Sequence, residues 1–437
     1  MSLLKKAKLE LADRAKYSPS SRVLLSRVLE AVDKVSSKSD PTGIVESIKR
    51  LTLAARLGHG RRSVDRLESE LRERIDSWDL AKFDWNLNFP GSREAKVERA
   101  IILKAPGPSG EKGVLFVAFE DNWLRLLRHA DVNLLASQYH LIIAPSWSPP
   151  HDLPLLVAIK LWPGPLNTIM SSLEDAPVFE QLSERLIAIP LLPSSWVNPR
   201  TFSPHGDEAK KYDIVMVSNF ARYKRHFALF RALREMDPKI RVALIGVRLE
   251  GRTPDDLMGE ATMYGVADRI QIMERVPDAE MIKTIHSSKV SIIMSKGEGS
   301  CVAVAESLFA DVPVGLIEGA NVGSRSFINS RTGRFLRDDH LAEDLTDFIA
   351  HHSDYHPRQW MLENGKSFNE SSVMLNDVVK ASSIGRGEPW TADLQPFHWR
   401  PYPMFLRRNQ LDAVLPEYER FQKTFGIPLA YLEPREV

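Results

Sequence analysis

A strand, a glycine turn and a helix follow one another between Val290 and Val314, and this order constrains the fold more than any other feature of the sequence. The apolar run that ends at Met294 is typical of a buried strand. Two glycines mark the tight turn after it. Small and apolar residues then predict a helix, with Ser300 as its N-cap and its end near Asp311. Such a stretch places backbone N–H groups and the positive end of a helix at the edge of a sheet, an environment that suits a phosphate.

Two glutamates flank the start of this predicted helix. Glu298 lies in the turn, and Glu306 lies two helical turns further on. Because a helix rises about 1.5 Å per residue, the two carboxylates stand on the order of 10 Å apart. That separation suits the sugar and the ribose of a nucleotide sugar, whose paired hydroxyls donate to carboxylates. The alternative is that Glu298 is an ordinary turn residue and Glu306 a solvated helix residue. The spacing alone favours this alternative, because short motifs match by chance.

The two glutamates also resemble a family motif. They have seven residues between them, follow a strand and precede Ala310–Val314, as in the retaining glycosyltransferases of the group 1, or family 4, type. The resemblance implies that Glu298 contacts the transferred sugar and that Glu306 holds the ribose of the donor. It also implies that the donor diphosphate lies over the backbone of Gly299, Ser300 and Cys301.

A second turn resembles the same family. Residues 217–226 are similar to the family pattern Gly-Arg-x-x-x-x-Lys-Gly, whose arginine and lysine grip the donor diphosphate. Lys224 falls on the lysine, but Asn219 falls on the arginine, which is a departure. Arg222 and Arg225 are candidates for the missing charge. Cations are needed there because a leaving nucleotide diphosphate gains charge in the transition state. The alternative is a basic surface turn without a ligand.

Size and composition exclude several classes of protein. At 437 residues the chain is long enough for two or three domains, and 43% hydrophobic with 26% charged residues is typical of a globular protein. The net charge of +1 provides no global field for nucleic acid. A single cysteine allows no intrachain disulfide and fits a reducing cytoplasm. The first residues lack the apolar core of a signal peptide, and no apolar run approaches the ~18 residues of a membrane span. We therefore expect a cytoplasmic protein.

Apolar runs that alternate with helical patterns predict an α/β fold with parallel sheets. Over about 186–350 the sequence resembles the donor domain of the family, and before residue 186 the resemblance is faint. The fold that this implies is GT-B, two Rossmann-like domains facing a cleft, with a helical N-terminal extension. We predict a helical extension at 1–80, an acceptor domain at 81–203, a nucleotide-sugar donor domain at 211–380, and a tail at 381–437 that returns to the N-terminal domain.

Individual elements follow from the same patterns. In the acceptor domain we expect a helix at Asn122–Ser137, a strand at Leu155–Leu161, and further strands at 99–104, 113–119, 139–144 and 186–189. In the donor domain we expect strands at 213–217, 241–245, 270–273, 290–294 and 314–316.

The helical extension is basic. Residues 1–80 carry 17 Lys and Arg against 12 Asp and Glu, a net charge of 17 − 12 = +5. The charges are mixed rather than in blocks, so we expect a solvated helical face. Peripheral contact with an anionic membrane, or with a partner, is the alternative.

The predicted acceptor domain departs from the family pattern. Residues 119–123 stand where the family has a Gly-rich loop beside the diphosphate. The family also has a histidine near the sugar, and the nearest candidate is His151, in a proline-rich loop. Trp147 in the same loop is a candidate for stacking on an acceptor sugar. The alternatives are a surface histidine and an ordinary core tryptophan.

Together these residues imply a retaining, metal-independent glycosyltransferase. It would move a sugar from a nucleotide-diphosphate donor to a glycan, lipid-linked or other hydroxyl acceptor, as in polysaccharide biosynthesis. Lys224 and Glu298 would be catalytic, and no cofactor or metal is expected. The first alternative is a catalytically weak GT-B protein that binds a nucleotide sugar as a partner subunit, which Asn219 and the missing glycine loop favour. The second is a glucan phosphorylase-like enzyme, for which the chain is short and lacks a lysine motif for a pyridoxal cofactor.

Overall fold

The chain folds into two α/β units, each built around its own sheet. The structure is a computed structural model that describes residues 2–36, 41–57, 69–71, 73, 76–80, 83–89, 91–146, 152–204, 209–399 and 402–434. The first unit holds Lys8–Pro193 together with Ser371–Glu436, and the second unit holds Ser194–Glu370 with the first residues of the chain. The chain passes from one unit to the other after Pro193 and after Glu370, and both points lie N-terminal to the predicted boundaries at 203 and 380.

The sheet of the first unit has five strands in the order β1-β2-β3-β4-β5. Their bounds are β1 Ala100–Lys104, β2 Gly113–Ala118, β3 Tyr139–Ala144, β4 Leu166–Ile169 and β5 Leu186–Ile189. The strands β2 to β5 are parallel, whereas β1 is antiparallel to β2. The loop between β1 and β2 is too short for a crossover helix, so these two strands pair as a hairpin.

The strand predicted at Leu155–Leu161 is wrong. The segment is a helix, Leu153–Leu161, whose start is capped by the side chain of Asp152 and carries Pro154 in its first turn. Seven of its nine residues are buried and apolar. A short apolar run of this kind does not reveal its secondary structure through periodicity.

The single helix predicted at Asn122–Ser137 is also wrong in part. Two helices, Glu120–His129 and Val132–Gln138, occupy this segment. The side chain of Asp131 accepts a hydrogen bond from the Leu134 N–H, which caps the second helix and separates it from the first.

The described residues of the N-terminal extension are largely helical, as predicted. The helices are Ser2–Tyr17, Pro19–Val35 and Pro41–Leu57. Most of residues 61–75, which the prediction includes, lie outside the described residues. The helix Pro19–Val35 packs on Pro41–Leu57, and the hydroxyl of Ser26 donates to the carbonyl of Ala54 at 2.7 Å.

The C-terminal residues pack on the sheet of the first unit. They form the helices Phe368–Gly385 and Arg408–Phe425 and a hairpin of β12 Phe397–Trp399 and β13 Pro403–Phe405. The hydroxyl of Tyr418 accepts from the Ile102 N–H at 3.1 Å. The rings of Phe397 and Trp399 lie 5.2 and 5.3 Å from that of Phe116 in β2.

The sheet of the second unit has six parallel strands in the order β11-β10-β9-β6-β7-β8. Their bounds are β6 Tyr212–Val217, β7 Val242–Gly246, β8 Ile270–Glu274, β9 Ser288–Ile293, β10 Val314–Ile317 and β11 Gly333–Leu336. The helices are His226–Leu233, Pro254–Tyr264, Asp278–His286, Val302–Phe309, Leu341–Ala350 and Pro357–Glu363. From β6 the chain moves to one side through β7 and β8, then returns to β9 on the other side of β6. The strand order therefore reverses between β6 and β9, as in a doubly wound sheet.

The α/β class with Rossmann-like parallel sheets and N-terminal helices is confirmed. The strands predicted from apolar runs in the second unit are present with small differences at their ends, while β11 was not predicted. In the part of the chain that the structure describes, no helix combines the length and the apolar character that crossing a membrane requires.

Gly333 and Gly259 form a matched pair for a test of close packing. A Cβ at Gly333 in β11 would lie 1.9 Å from the carbonyl oxygen of Val314 in β10, whereas a Cβ at Gly259, in the helix Pro254–Tyr264, meets no atom within 4 Å. We expect Gly333→Ala to lower the free energy of unfolding by roughly 2 kcal/mol, because two paired strands must move apart. Gly259→Ala should raise it by roughly 0.5 kcal/mol, since alanine is the better helix former. Chemical denaturation followed by circular dichroism measures both values, and equal effects of the two variants would contradict the expectation.

Candidate functional site

The turns after β6 and β9 meet where the strand order of the second unit reverses. These two strands are parallel neighbours, so their carboxyl ends lie at the same edge of the sheet. Open α/β sheets bind ligands in the crevice at such a point, because the chain leaves the two strands in opposite directions. Both turns selected from the sequence lie here, since residues 217–226 follow β6 and Glu298 follows β9.

Lys224 and Glu298 form an ion pair at this edge. Nζ of Lys224 lies 2.6 Å from Oε2 of Glu298, and each side chain is 9% exposed. The hydroxyl of Ser295 donates to the other carboxylate oxygen of Glu298. Burial lowers the pKa of Lys224, but the opposing charges, chiefly that of Glu298, outweigh burial and the net pKa is raised above its ordinary value. Lys224 is therefore a buried cation in a fixed position, and Glu298 is not a solvated turn residue.

The helix after this turn begins one residue later than predicted. It runs from Val302 to Phe309 and has Cys301 as its N-cap, in the left-handed conformation with φ 54°, with no hydrogen bond from the capping side chain. The prediction of Ser300 as N-cap is wrong, because its hydroxyl donates to Oγ of Ser194 at 2.7 Å and accepts from the Ser194 N–H at 2.8 Å. The first N–H groups of the helix thus carry no side-chain cap, which leaves the positive end of the helix next to Lys224 and Glu298.

Glu306 and Cys301 add a buried carboxylate and a half-buried thiol to this helix and its cap. Glu306 is 5% exposed, so it is not the solvated residue of the alternative interpretation. Burial, and then the negative charges of Glu298 and Glu306, raise the pKa of the Cys301 thiol well above its ordinary value, although Lys224 opposes them. Cys301 is accordingly a neutral thiol, and the nucleophilic thiolate form is disfavoured there.

Asn219 and Arg222 have different positions in the turn after β6. The side chain of Asn219 accepts from the Ala221 N–H at 3.1 Å and donates to the Tyr223 hydroxyl at 3.0 Å. Asn219 therefore stabilises the turn that presents Lys224. Arg222 is exposed, and its backbone N–H donates to Glu250 at 3.4 Å.

Arg225 points away from solvent. It is 1% exposed, and its guanidinium donates to both carboxylate oxygens of Asp338 at 2.9 and 2.8 Å and to the carbonyl of Met294 at 3.0 Å. Asp338 also pairs with Lys296 at 2.6 Å. Burial raises the pKa of Asp338, but the charge of Arg225 and the bond from Lys296 outweigh it and hold the pKa below its ordinary value. Asp338 therefore already engages the charge of Arg225, and the expectation that this charge serves a diphosphate stays a prediction.

Several residues that build this site were not found from the sequence. Their common role is to fix the two turns by hydrogen bonds or charge, and they are Ser194, Ser295, Lys296, Tyr223 and Asp338. All but Ser295 and Lys296 are distant from the motif of the two glutamates. Ser295 and Tyr223 bond to residues three and four positions away in sequence, whereas the partners of Ser194 and Asp338 are brought close only by the fold.

The structure does not describe the two acceptor candidates. Trp147 and His151 lie outside the described residues. In the segment that stands in place of the family's Gly-rich loop, Phe119 follows β2 with φ 67°, a conformation that glycine adopts more readily. Glu120 accepts from the N–H and the hydroxyl of Ser146 at 3.1 and 2.8 Å, which joins the ends of β2 and β3. Among the described residues, no group of three or more His, Cys, Asp or Glu side chains is arranged to hold a metal ion.

Comparison with sequence families matches the part of the chain that contains this site. Residues 198–365 match the family of glycosyl transferases group 1. This match confirms the resemblance found in the two motifs, and it covers the turn with Lys224 and the turn with Glu298. A search of curated protein sequences finds no significant match.

Many solved structures show some likeness to the chain, and three of them serve as examples. Anabaena HepE in complex with UDP and glucose is 14% identical, with a TM-score of 0.49 over 61% of this chain and 78% of that one. Sucrose-phosphate synthase from Thermosynechococcus elongatus is 15% identical, with a TM-score of 0.47 over 63% and 73%. The pneumococcal O-GlcNAc transferase GtfA in complex with UDP and GlcNAc is 13% identical, with a TM-score of 0.46 over 62% and 56%.

Within the group 1 region, Arg225 takes the place of a glycine. The family pattern has Gly directly after the lysine, and here Lys224 is followed by Arg225 with φ 56°. An L-residue in this left-handed conformation is strained by about 1 kcal/mol relative to glycine. The bonds to Asp338 and Met294 offset that strain and hold Arg225 in this conformation.

Arg225→Gly and Asp338→Asn test this explanation. We expect Asp338→Asn to destabilise the protein by roughly 3 kcal/mol, because it leaves the charge of Arg225 buried without its counter-ion. Arg225→Gly should cost less than Arg225→Ala, since only glycine adopts φ 56° freely. The double variant Arg225→Gly/Asp338→Asn should be less destabilised than the sum of the single variants by at least roughly 1 kcal/mol. Denaturant unfolding of all four variants measures these differences, and strictly additive effects would contradict the explanation.

Proposed function

We propose that the protein is a retaining, metal-independent glycosyltransferase that uses a nucleotide-diphosphate sugar. The observation that carries the proposal is the buried Lys224–Glu298 ion pair at the strand reversal, beside the uncapped start of the helix Val302–Phe309, inside the region that matches group 1. A cation, a carboxylate and a helix start without a side-chain cap match the three needs of glycosyl transfer: a diphosphate to bind, a sugar to orient and a developing positive charge to stabilise.

Lys224 would neutralise the leaving diphosphate. Its raised pKa keeps it protonated at neutral pH, and burial strengthens its field because little water screens it. The N–H groups at the start of the helix Val302–Phe309 point their partial positive charge at the same place. Preorganised donors of this kind stabilise the charge that develops on the leaving group without reorganisation, in the role that a metal ion has in other transferases. Of the two arginines named as candidates for a second cation, Arg222 is the exposed one.

Glu298 would act on the sugar. Its carboxylate lies 2.6 Å from the amine that meets the diphosphate, and the anomeric carbon of a nucleotide sugar is attached directly to that diphosphate. The carboxylate would stabilise positive charge at the anomeric carbon as the bond to the leaving oxygen breaks. Attack by an acceptor hydroxyl on the same face would retain the configuration. Glu306, buried in the following helix, would accept from the ribose hydroxyls.

The remaining parts of the proposal concern the other unit and the setting. The first unit would bind the acceptor, a glycan, a lipid-linked sugar or another hydroxyl compound. No cofactor is required by the chemistry. The reaction would take place in the cytoplasm and supply polysaccharide biosynthesis.

A second candidate function is a partner subunit that binds a nucleotide sugar and transfers it poorly. Two observations favour it. Asn219 occupies the position of the family's arginine and is engaged in its own turn, and the charge of Arg225 is engaged by Asp338. The site therefore presents Lys224, and Glu298 already balances its charge. Fewer cations predict weaker stabilisation of the leaving diphosphate.

Nucleotide binding is the first test. We expect Lys224→Ala to weaken the affinity for UDP or GDP by at least tenfold, because a charge-assisted bond to a phosphate is lost. Glu306→Ala should weaken it by roughly the same factor through the ribose. The control is Lys289→Ala, which removes an ion pair with Asp213 at 2.8 Å between β9 and β6, at their amino ends. Isothermal calorimetry measures the affinities. If a nucleotide binds the wild type and both site variants equally well, the site assignment is wrong.

Glu298→Gln separates chemistry from binding. We expect kcat to fall on the order of 10²-fold, since the variant keeps the shape but loses the charge that stabilises the anomeric carbon. The affinity for the donor should stay the same or improve, because Lys224 loses its intramolecular counter-ion and is free to pair with phosphate. Asp213→Asn, on the other end of the same two strands, is the control. Turnover is followed by nucleotide release with a panel of sugar donors and acceptors. Wild-type turnover in Glu298→Gln contradicts the catalytic role, and a wild type that binds donor but transfers to no acceptor supports the partner subunit.

A further inference from the structure

The helix Pro19–Val35 buries polar residues and exposes apolar ones, which is the reverse of an ordinary surface helix. Its buried residues are polar: Ser26, Glu30 and Asp33. Its exposed residues include five large apolar side chains, which are Leu24 at 64%, Leu25 at 48%, Val28 at 47%, Val32 at 43% and Val35 at 86% exposed. A helix on the surface of a globular protein normally presents the opposite pattern.

Specific contacts hold the helix in this orientation. The hydroxyl of Ser26 donates to the carbonyl of Ala54 at 2.7 Å. The carboxylate of Asp33, 1% exposed, pairs with Nε of Arg50 at 3.3 Å. Rotating the helix to bury its apolar side would break these bonds and leave a buried carboxylate without its partner. The apolar side is therefore presented outward by the packing of the helix Pro19–Val35 on its neighbour.

The exposed apolar residues form one continuous stripe. At 100° per residue, the five side chains fall within an arc of about 100°. Arg27 and Lys34, both exposed, fall beside that arc on one edge. We name this set the outer stripe: Leu24, Leu25, Val28, Val32 and Val35, with Arg27 and Lys34 at its edge.

On residues 6–36 the exposed charges are positive and the acidic residues are at least half-buried. Among the described side chains of residues 6–36, every exposed charged residue is a cation: Lys8, Arg14, Lys16, Arg27 and Lys34. The acidic residues of the same segment are buried or half-buried, and they are Glu10, Asp13, Glu30 and Asp33. The surface that this segment presents to its surroundings is thus apolar and positive, although its sequence contains both signs of charge.

We propose that the outer stripe binds an anionic lipid surface. An amphipathic helix with an apolar face and flanking cations lies in the plane of the membrane interface, where its apolar residues enter the acyl boundary and its cations meet anionic headgroups. Long side chains such as Arg27 and Lys34 reach from the edge of the stripe to the headgroups. Charge complementarity selects lipid over a second protein, because an apolar protein interface is depleted of lysine whereas an anionic bilayer attracts it. The proposal does not depend on the enzymatic activity.

Vesicle binding of the full-length chain tests the proposal. The probes are vesicles of phosphatidylcholine alone and of phosphatidylcholine mixed with phosphatidylglycerol, and co-sedimentation measures the bound fraction. We expect binding to the mixed vesicles, weakening with added salt. Leu25→Asp/Val28→Asp should reduce the binding constant at least tenfold, and so should Arg27→Glu/Lys34→Glu. The matched control is Val373→Asp/Ile384→Asp, two residues 61% and 54% exposed on the helix Phe368–Gly385, which should bind like the wild type.

The outcomes are distinct. All substituted residues are exposed, so the circular dichroism spectra and melting temperatures of the variants should match those of the wild type. Vesicle binding is compared only between proteins that meet this condition. Absence of binding to the mixed vesicles, or equal loss in the control variant, overturns the proposal. If light scattering shows that the wild type is an oligomer and that Leu25→Asp/Val28→Asp is a monomer, the outer stripe is a protein interface instead.

Discussion

The ion pair between Lys224 and Glu298 is the interaction on which the arrangement of the candidate site depends. A buried pair of charges contributes little net stability, because desolvation cancels much of the attraction. The pair matters because it fixes where the two groups lie, since burying either charge without the other would be strongly unfavourable. The pair links the ends of two adjacent strands and fixes a cation and a carboxylate 2.6 Å apart. A ligand that carries a phosphate next to a sugar is the kind of molecule that this spacing fits.

Backbone strain accompanies this pair on both sides. Arg225, directly after Lys224, and Cys301, three residues after Glu298, both have positive φ without being glycine. Strained residues of this kind persist only when their surroundings hold them. Asp338 and the carbonyl of Met294 hold Arg225, and the bonds between Ser194 and Ser300 hold the turn before Cys301. The helix that follows begins at Val302 without a hydrogen bond from its capping side chain.

The N-terminal helices show the same principle at a distance from the site. Composition alone suggests a mixed, solvated surface for residues 1–80, because basic and acidic residues alternate. The packing of the helix Pro19–Val35 withdraws its acids and exposes its apolar side. The exposed surface therefore differs from the average of its sequence, and it favours a binding partner that composition offers only as the alternative.

Local patterns in the sequence determined the α/β class, the strand ends at the site and the turn with Glu298, because buried strands and glycine turns leave periodic, short-range signals. The turn with Lys224 was identified from its resemblance to the group 1 pattern. Tertiary structure decided what distant residues do. The segment Leu153–Leu161 is a helix in which residues 153–159 are all buried, so its sequence shows no alternation of apolar and polar residues from which a helix could be told from a strand. Arg225 is buried in an ion pair because Asp338, over a hundred residues later, lies against it. Partners at such separations leave no trace in a short window of sequence, since only the fold brings them together.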